Sequence, residues 1–448
     1  MGKFICSLFV CLLFILIPKQ AYAITDPLSS PNNIFGIHIL NEGELKDAAN
    51  LVNSGGGDWG YVTLVIQKGE RDQSRWQRAF NEARRLHLIP IVRIASSQQN
   101  SGWEKPSVDE IDGWVSFLNS LNWVSKNRYV VVANEPNHAK EWGGEINPGE
   151  YAKYLRLFSE KLKANSPDFF VLPAGFDFSA KNTKDTMEAT TFLKEAVSSE
   201  KDFFNYIDGW TSHSYPNPGF AGSESASGRG TIRSYEWELE YLKTLGLGKE
   251  LPVFITETGW AHDGDGGLDG GVETNKVGSK LTYAFTNPWK NPKVVAVTPF
   301  VLNYQTPPFD VFSWKKPEGT FYDFYQEVQK LPKTRGQPER IASASITATF
   351  RPLIIRAGSE FYVALFVSNF GQTILNEETI LTLNEVSEDF ETIQLIYAPQ
   401  IEPFHSALMI FKLKARETSG LMNLTFLLNE GDKSISNLRS FTIFSLGI

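Results

Sequence analysis

Between residues 34 and 332, short apolar runs alternate with longer segments in which apolar residues recur every three or four positions. The short runs are rich in β-branched and aromatic residues and the longer ones have the period of a helix, so the pattern predicts repeated βα units. Eight such units in about 300 residues match the size of one (β/α)8 barrel. An open doubly wound sheet is the alternative, but no glycine-rich turn follows Ile39. We therefore predict a (β/α)8 TIM barrel.

Most of the candidate strands are almost continuously apolar, as strands buried on both faces of a parallel sheet should be. They span residues 34–39, 61–66, 89–95, 129–133, 169–174, 207–213, 252–256 and 294–301. After the fourth strand, Asn147 is a candidate N-cap, with Pro148 at the first helical position and Glu150 three residues after the cap. This combination predicts that a helix begins at Pro148.

The pattern changes near residue 332, where Pro332, Gly336 and Pro338 interrupt the helical period. Residues 333–343 are therefore predicted as a linker that follows a barrel domain of residues 24–332. Short alternating runs then follow at residues 345–350, 361–369, 378–383, 392–396, 407–413 and 421–428. Their spacing predicts a smaller all-β domain, an Ig-like sandwich over residues 344–448. This region contains no Trp, which favours a spacer or packing role over the binding of glycan or cell wall.

The first 23 residues have the pattern of an export signal: Lys3, an apolar run over residues 4–17, and Ala21-Tyr22-Ala23 before the predicted cleavage point. The run of about 14 residues is shorter than the roughly 20 that a membrane-spanning helix needs, so an uncleaved anchor is the weaker alternative. Cleavage would remove Cys6 and Cys11, the only cysteines. The mature protein is therefore expected to be secreted or extracytoplasmic and to have no thiol chemistry.

The net charge of −8 disfavours nucleic acids and anionic membranes as partners, because both bind patches of Lys and Arg. The aromatic share of 13% suits the stacking of neutral sugars as well as a large core. The aspartates of loop 262–273 lack the terminal bidentate Glu of a calcium-binding loop. We expect a neutral ligand and neither a metal nor a cofactor, and the oligomeric state stays open.

Two of the predicted strands deliver a glutamate to their carboxyl ends. The fourth leads into Ala133-Asn134-Glu135-Pro136, and the seventh leads into Thr256-Glu257-Thr258. In a barrel, the carboxyl ends of all strands surround one mouth, and active sites lie there. Strands four and seven stand on opposite sides of that mouth. Glu135 and Glu257 can therefore flank a bond at the roughly 5 Å separation of retaining glycosidases.

These motifs resemble those of the clan of retaining (β/α)8 glycoside hydrolases, which includes cellulase-like, β-xylosidase-like and β-1,3-glucanase-like families. The resemblance covers about residues 34–332 and is carried by Asn134-Glu135-Pro136, by Glu257, and by His213 and Tyr215 at the end of the sixth strand. It implies double-displacement hydrolysis of a β-glycosidic bond, with Glu135 as acid/base and Glu257 as nucleophile. It further implies that Tyr215 donates to Glu257, Asn134 binds the sugar 2-hydroxyl, and His213 orients the substrate or the carboxyls.

Four further residues are weaker candidates for substrate binding. Arg93 and His38, on the third and first strands, can line the mouth; a structural salt bridge and a buried histidine are the alternatives. Many clan members end the eighth strand with a Trp that forms a sugar platform, but this chain has Phe300 there. Trp260 and Trp314 are candidates for that platform, and core packing explains each equally well.

Two other functions compete with hydrolysis. One is a non-catalytic carbohydrate-binding or adhesion protein on a degenerate barrel, since fold alone does not imply activity. The other is transglycosylation, which uses the same two acids and differs in whether water or a sugar accepts the glycosyl unit.

Overall fold

A computed structural model of the protein describes residues 24–99, 102–263, 271–375, 389–430 and 433–447. The predicted export signal, residues 264–270 of loop 262–273 and the predicted strand at 378–383 lie outside these ranges. Among the described helices, none is both long enough and apolar enough to cross a membrane.

The first part of the chain is a mixed α/β unit with eight parallel strands in its described residues. The strands are Gly36–Ile39 (β1), Gly60–Gln67 (β2), Leu88–Ala95 (β3), Arg128–Val132 (β4), Phe169–Pro173 (β5), Trp210–His213 (β6), Val253–Glu257 (β7) and Val294–Val297 (β8). β1 to β5 pair in chain order in one sheet, and β6 to β8 do so in another. β5 contacts β6, and a parallel bridge joins Phe35 to Val297. This circular order resembles that of a (β/α)8 barrel.

α-Helices connect these strands and cover them from outside. Those described are Leu45–Val52 (α1), Gln73–Arg85 (α2), Ile111–Ser120 (α3), Pro148–Asn165 (α4), Ala189–Ser199 (α5), Ser234–Thr244 (α6), Thr274–Thr286 (α7) and Asp323–Gln329 (α8). The predicted start of α4 is confirmed, because the Asn147 side chain accepts a hydrogen bond from the Glu150 N–H at 3.0 Å. The buried faces of strands and helices form one hydrophobic core.

Two strands are shorter than the sequence predicts. β6 begins at Trp210 rather than at residue 207, because a 3-10 turn at Phe203–Tyr206 is followed by a bend at residues 208–209 before the strand starts. β8 ends at Val297 rather than at residue 301. Pro299, two residues later, has no N–H to donate to a neighbouring strand, which stops the regular pairing.

The rest of the described chain is all-β. Its longer strands are Ala344–Phe350 (β9), Ile354–Arg356 (β10), Glu360–Asn369 (β11), Phe390–Tyr397 (β12), Ser406–Ala415 (β13), Gly420–Phe426 (β14) and Arg439–Leu446 (β15). The first sheet has the order β9-β11-β13-β12 and is antiparallel, and the second has the order β10-β15-β14. A separate hydrophobic cluster lies among these strands. The sequence prediction omits β10 and β15; in β15, exposed Phe444 and Leu446 hide the apolar alternation.

The segment after α8 lies against the α/β unit. The Gly336 N–H donates to the carbonyl of Asp58 at 2.9 Å. In the all-β unit, the buried side chain of Gln372 donates from Nε2 to the carbonyl of Ser125 at 2.9 Å. The predicted linker is therefore docked on its neighbour, and the two units share a polar contact.

Candidate active site

Glu135 and Glu257 meet at the carboxyl ends of the barrel strands. Glu257 is the last residue of β7, and Glu135 follows β4 by three residues. A carboxylate oxygen of each and a ring nitrogen of His213 all lie within 4.8 Å of one another. Retaining glycosidases hold their two carboxyls about 5–5.5 Å apart, and inverting ones about 6.5–9.5 Å. The separation seen here is near the retaining value.

The backbone after β4 turns sharply to present Glu135. Ala133 and Glu135 both have positive φ, at 73° and 29°, and a residue with a side chain pays about 1–3 kcal/mol for such a conformation. Hydrogen bonds hold the turn. The Glu135 N–H donates to the Gly175 carbonyl at 3.0 Å, and buried Asn137 donates from Nδ2 to the Asp177 carbonyl at 3.0 Å. Both acceptors follow β5 in the chain, so the segment after β5 holds the turn in place.

The Glu257 carboxylate is surrounded by donors. Arg93 Nη1 lies 2.7 Å from Oε1, and the Tyr215 hydroxyl donates to Oε2 at 3.2 Å. Burial alone would raise the pKa of Glu257, but the charges of His213 and Arg93, with the hydrogen bond from Tyr215, outweigh it and lower the pKa. Glu257 is therefore held as an anion, with Arg93 and Tyr215 as hydrogen-bond donors to its two oxygens.

His213 lies between the two carboxylates. Its Nδ1 is 2.8 Å from Glu135 Oε1 and 3.8 Å from Glu257 Oε2. Burial would lower the pKa of His213, but the charge of Glu257 and the hydrogen bond with Glu135 raise it. The imidazole therefore stays protonated to higher pH than an exposed histidine does. A Cβ on Gly175 would lie 2.2 Å from the ring, so only glycine allows this approach.

Alternate side chains of the β6 segment face two different partners. His213 and Tyr215 reach the acids, whereas Trp210 and Ser212 point to Glu238 on α6. Trp210 Nε1 donates to Glu238 Oε2 at 2.7 Å, and Ser212 Oγ donates to Oε1 at 2.9 Å. Burial raises the pKa of Glu238 to about 7, although these hydrogen bonds oppose the shift. Glu238 therefore anchors the strand that positions the histidine and the tyrosine.

Asn134 is held between a cation and an acid. Arg93 Nη1 donates to its Oδ1, and its Nδ2 donates to Glu141 Oε2 at 3.2 Å. Burial, reinforced by the charge of Glu135, raises the pKa of Glu141. These side chains line a small cavity together with half-buried Trp103. The sequence prediction missed Glu141 and Glu238. The only signal that could have found them is an acidic residue next to residues that are otherwise buried.

The remaining candidates are buried. His38 is fully buried with Nε2 4.0 Å from Glu257 Oε1, and burial lowers its pKa to about 3, so it is neutral. Trp260 is 2% exposed and donates from Nε1 to the Gly222 carbonyl. Trp314 is 3% exposed and packs edge-on against Phe324. The two tryptophans therefore pack in the core, which was the alternative to their forming a sugar platform.

Glu135, His213 and Glu257 have ligand atoms close enough to share a metal ion. The guanidinium of Arg93 already supplies a positive charge at Glu257, 2.7 Å away, and it would repel a divalent cation. The cluster is therefore better suited to proton transfer and nucleophilic attack than to metal binding.

No protein-family model matches the chain, and no curated protein matches its sequence. Solved structures similar to it include a monomeric β-xylosidase from Caulobacter crescentus CB15, with 12% identity over 86% of this chain and 97% of that one, and a TM-score of 0.47. An endo-β-1,3-glucanase from Sorangium cellulosum has 12% identity, 67% and 98% coverage and a TM-score of 0.42. An endo-1,4-β-mannanase from Rhizomucor miehei has 12% identity, 68% and 97% coverage and a TM-score of 0.43. These three similar structures are glycosidases, the class of enzyme that the sequence motifs resemble.

Proposed function

We propose that the chain is a secreted retaining glycoside hydrolase that cleaves β-glycosidic bonds of a polysaccharide, oligosaccharide or glycoside by double displacement. The observation that carries the proposal is the approach of Glu135 and Glu257 to within 4.8 Å at the strand ends. Carboxyls this close can flank one anomeric carbon, whereas direct attack by water needs a wider gap.

Glu257 is the nucleophile in this mechanism. Its carboxylate attacks the anomeric carbon while the bond from that carbon to the departing oxygen breaks, which leaves a glycosyl ester on Glu257. Arg93 and Tyr215 keep Glu257 ionised before attack. Asn134 binds the sugar 2-hydroxyl, a contact that strengthens at the transition state.

Glu135 is the acid/base. It gives its proton to the departing oxygen in the first step, and in the second it takes a proton from the water that cleaves the ester. His213, hydrogen-bonded to Glu135 at 2.8 Å, orients the carboxyl and can exchange a proton with it. The enzyme ends each cycle in its starting protonation state.

The proposal extends to the whole chain: an export signal in residues 1–23, a catalytic barrel domain in 24–332, a linker in 333–343 and an Ig-like sandwich in 344–448. The sandwich acts as a packing module. In support, Arg85 of α2 donates twice to Glu402, at 2.7 and 3.0 Å, in addition to the buried contact of Gln372.

The test is a screen of the full chain against aryl β-glycosides and β-linked polysaccharides, with product anomers followed by NMR. We expect the first product to retain its configuration. Glu257→Ala should abolish turnover, and azide should restore it with an inverted product. Glu250→Ala, at a surface glutamate paired with Lys293, is the control and should behave like the native enzyme.

Three outcomes would contradict the proposal. Undiminished turnover by Glu257→Ala would remove the nucleophile assignment, and an inverted first product would remove the retaining mechanism. Binding of oligosaccharides without turnover of any of them would favour the carbohydrate-binding alternative. Transfer of the glycosyl unit to an added sugar in preference to water would identify a transglycosylase with the same acids.

A further inference from the structure

Glu141 holds the side-chain amide of Asn134 from one side, and the proposed mechanism does not use it. Oε2 of Glu141 accepts from Nδ2 of Asn134 at 3.2 Å, and Nη1 of Arg93 donates to Oδ1 of the same amide. A guanidinium can only donate, and an ionised carboxylate can only accept. The two partners therefore select one of the two orientations of the amide, because turning it over would place acceptor against acceptor and donor against donor.

The selected orientation leaves a donor of Asn134 for a ligand. An amide nitrogen carries two hydrogens, and Glu141 accepts from one of them. The second hydrogen remains for the sugar 2-hydroxyl, the contact that the proposed mechanism gives to Asn134. A single contact with Arg93 would let the amide turn about that contact, and Glu141 supplies the second point that stops it.

The backbone that carries Glu141 is itself fixed. Glu141 ends the 3-10 turn Ala139–Glu141, and the next residue, Trp142, is fully buried. The Ala139 N–H donates to the carbonyl of Asp185 at 2.8 Å, and the Trp142 N–H donates to the carbonyl of Ala139 at 3.0 Å. A carboxylate held in this way loses little conformational freedom when a ligand binds to its partner.

Glu141 is half-buried and lines a cavity together with Trp103 and Ser96. Burial and the charge of Glu135 raise the pKa of Glu141, whereas the charge of Arg93 and the hydrogen bond from Asn134 oppose that shift. The cavity also leaves the amide room to turn when the carboxylate is removed. Replacement of Glu141 should therefore change the orientation of the amide without forcing atoms together.

The same series of contacts reaches Glu257. Nη1 of Arg93, which donates to Asn134, also lies 2.7 Å from Oε1 of Glu257. Glu141, Asn134, Arg93 and Glu257 therefore form one continuous series of hydrogen bonds. Groups held in series do not move independently. The amide assigned to the second carbon of the sugar is thus kept in place relative to the carboxylate assigned to the first.

We propose that Glu141 is a positioning residue that holds the Asn134 amide toward the sugar 2-hydroxyl, so that efficient cleavage requires a free hydroxyl at the second carbon of the sugar. The proposal rests on the proposed function, because Asn134 meets that hydroxyl only if a sugar is held at Glu257. An acid with a purely structural role would affect every substrate alike. Loss of Glu141 should instead affect the substrates that carry the 2-hydroxyl.

The test compares kcat/KM for 4-nitrophenyl β-glucoside, β-mannoside and β-xyloside with kcat/KM for the 2-deoxy counterpart of each. The ratio of the hydroxylated to the deoxy substrate should be about tenfold lower in Glu141→Ala than in the native enzyme. Glu141→Gln keeps a neutral acceptor of the same shape, so the ratio should fall less, by about threefold. Differences in intrinsic reactivity cancel, because each variant is measured on the same pair of substrates.

Glu145→Ala is the matched control. Glu145 lies four residues further along the same loop, its side chain is 61% exposed, and it pairs with Lys105 at 2.9 Å. This variant should keep the native ratio. The same fall in Glu145→Ala would count against a specific role for Glu141.

A binding measurement separates Glu141 from the chemistry. Deoxynojirimycin and isofagomine are iminosugars of similar size, and only deoxynojirimycin carries the equivalent of the 2-hydroxyl. Both are used in their gluco, manno and xylo forms. In calorimetry, Glu141→Ala should weaken the binding of deoxynojirimycin by about tenfold and leave the binding of isofagomine unchanged.

The outcomes distinguish the two proposals. Turnover with retention, but with a loss of kcat/KM in Glu141→Ala that is equal on both substrates of a pair or absent, would overturn the role of Glu141 and leave the proposed function standing. If no glycoside is turned over but the binding of deoxynojirimycin depends on Glu141, the proposed function fails and the role of Glu141 in sugar binding stands. A chain that binds neither iminosugar and turns over no glycoside would overturn both.

Discussion

Nη1 of Arg93 lies 2.7 Å from Oε1 of Glu257, and each side chain is only 11% exposed. The pair joins a cation of β3 to the anion that ends β7, across the width of the barrel. Charges attract more strongly where water is excluded, so this contact is a main reason why the pKa of Glu257 is lowered despite its burial.

Arg93→Gln should therefore raise the pKa of Glu257. In the proposed mechanism, activity requires the Glu257 anion and is lost as pH falls through that pKa, so the acid limb of the kcat/KM profile should move to higher pH. Loss of the charge-assisted hydrogen bond should also lower kcat/KM by about 10- to 100-fold at the optimum. Arg75→Gln, which breaks a surface pair with Glu42, is the control. An unmoved acid limb would contradict the role given to Arg93.

Glu135→Ala should have an effect that depends on the leaving group. Without the general acid, glycosides with poor leaving groups should lose about 10²- to 10⁴-fold in rate. Dinitrophenyl glycosides need no protonation on departure and should lose far less in the first step. Steady-state and burst kinetics on both substrates would measure the difference, with exposed Glu145→Ala as control. Equal losses on both substrates would argue against an acid/base role.

Gly175→Ala should displace His213, because the new methyl group would lie 2.2 Å from the imidazole ring. We expect kcat to fall by about tenfold or more, and the pH profile to change as His213 leaves Glu135. Gly248→Ala is the control, since a Cβ there meets nothing within 4 Å and φ is not positive. A variant with native activity and pH profile would show that the ring position is unimportant.

Glu238 should make the protein less stable as pH rises from about 4.5 to about 7. Its folded-state pKa is about 7 and its ordinary value is 4.5, so in this window the unfolded chain loses a proton that the folded protein keeps. The unfolded state then binds fewer protons, and the free energy of unfolding falls by up to about 3 kcal/mol.

Glu238→Gln should remove that pH dependence, which denaturant titrations between pH 4.5 and 7 would measure. The amide keeps an oxygen that can accept from Trp210 or Ser212. Glu236→Gln is a control on the same helix, at a half-buried residue. The same slope in native protein and Glu238→Gln would mean that another group is responsible.

The order of the barrel strands and the meeting of the two glutamates could be predicted because both depend on local pattern. An apolar run marks a parallel strand, and the end of that run fixes where Glu135 and Glu257 lie. Arg93 was a candidate for the same reason, since it lies near the end of β3, but the sequence left a structural salt bridge as the alternative.

The supporting residues could not be predicted, because their roles depend on contacts between distant segments. Gly175 matters through the ring of His213, and Glu238 matters through Trp210 and Ser212. Trp260 was ambiguous because a tryptophan after a strand can turn into the cleft or into the core. Its hydrogen bond to the Gly222 carbonyl fixes it in the core, and the local sequence does not indicate this contact.

Successive side chains of the β6 segment point alternately to Glu238 and to the pair of Glu135 and Glu257. The length of this segment is therefore critical. Adding or removing a single residue between Trp210 and His213 would exchange the two faces of the strand. A serine hydroxyl would then point at the glutamates, and the imidazole would point at the Glu238 carboxylate. A change of one residue in the length of this short strand would therefore turn His213 and Tyr215 away from Glu135 and Glu257.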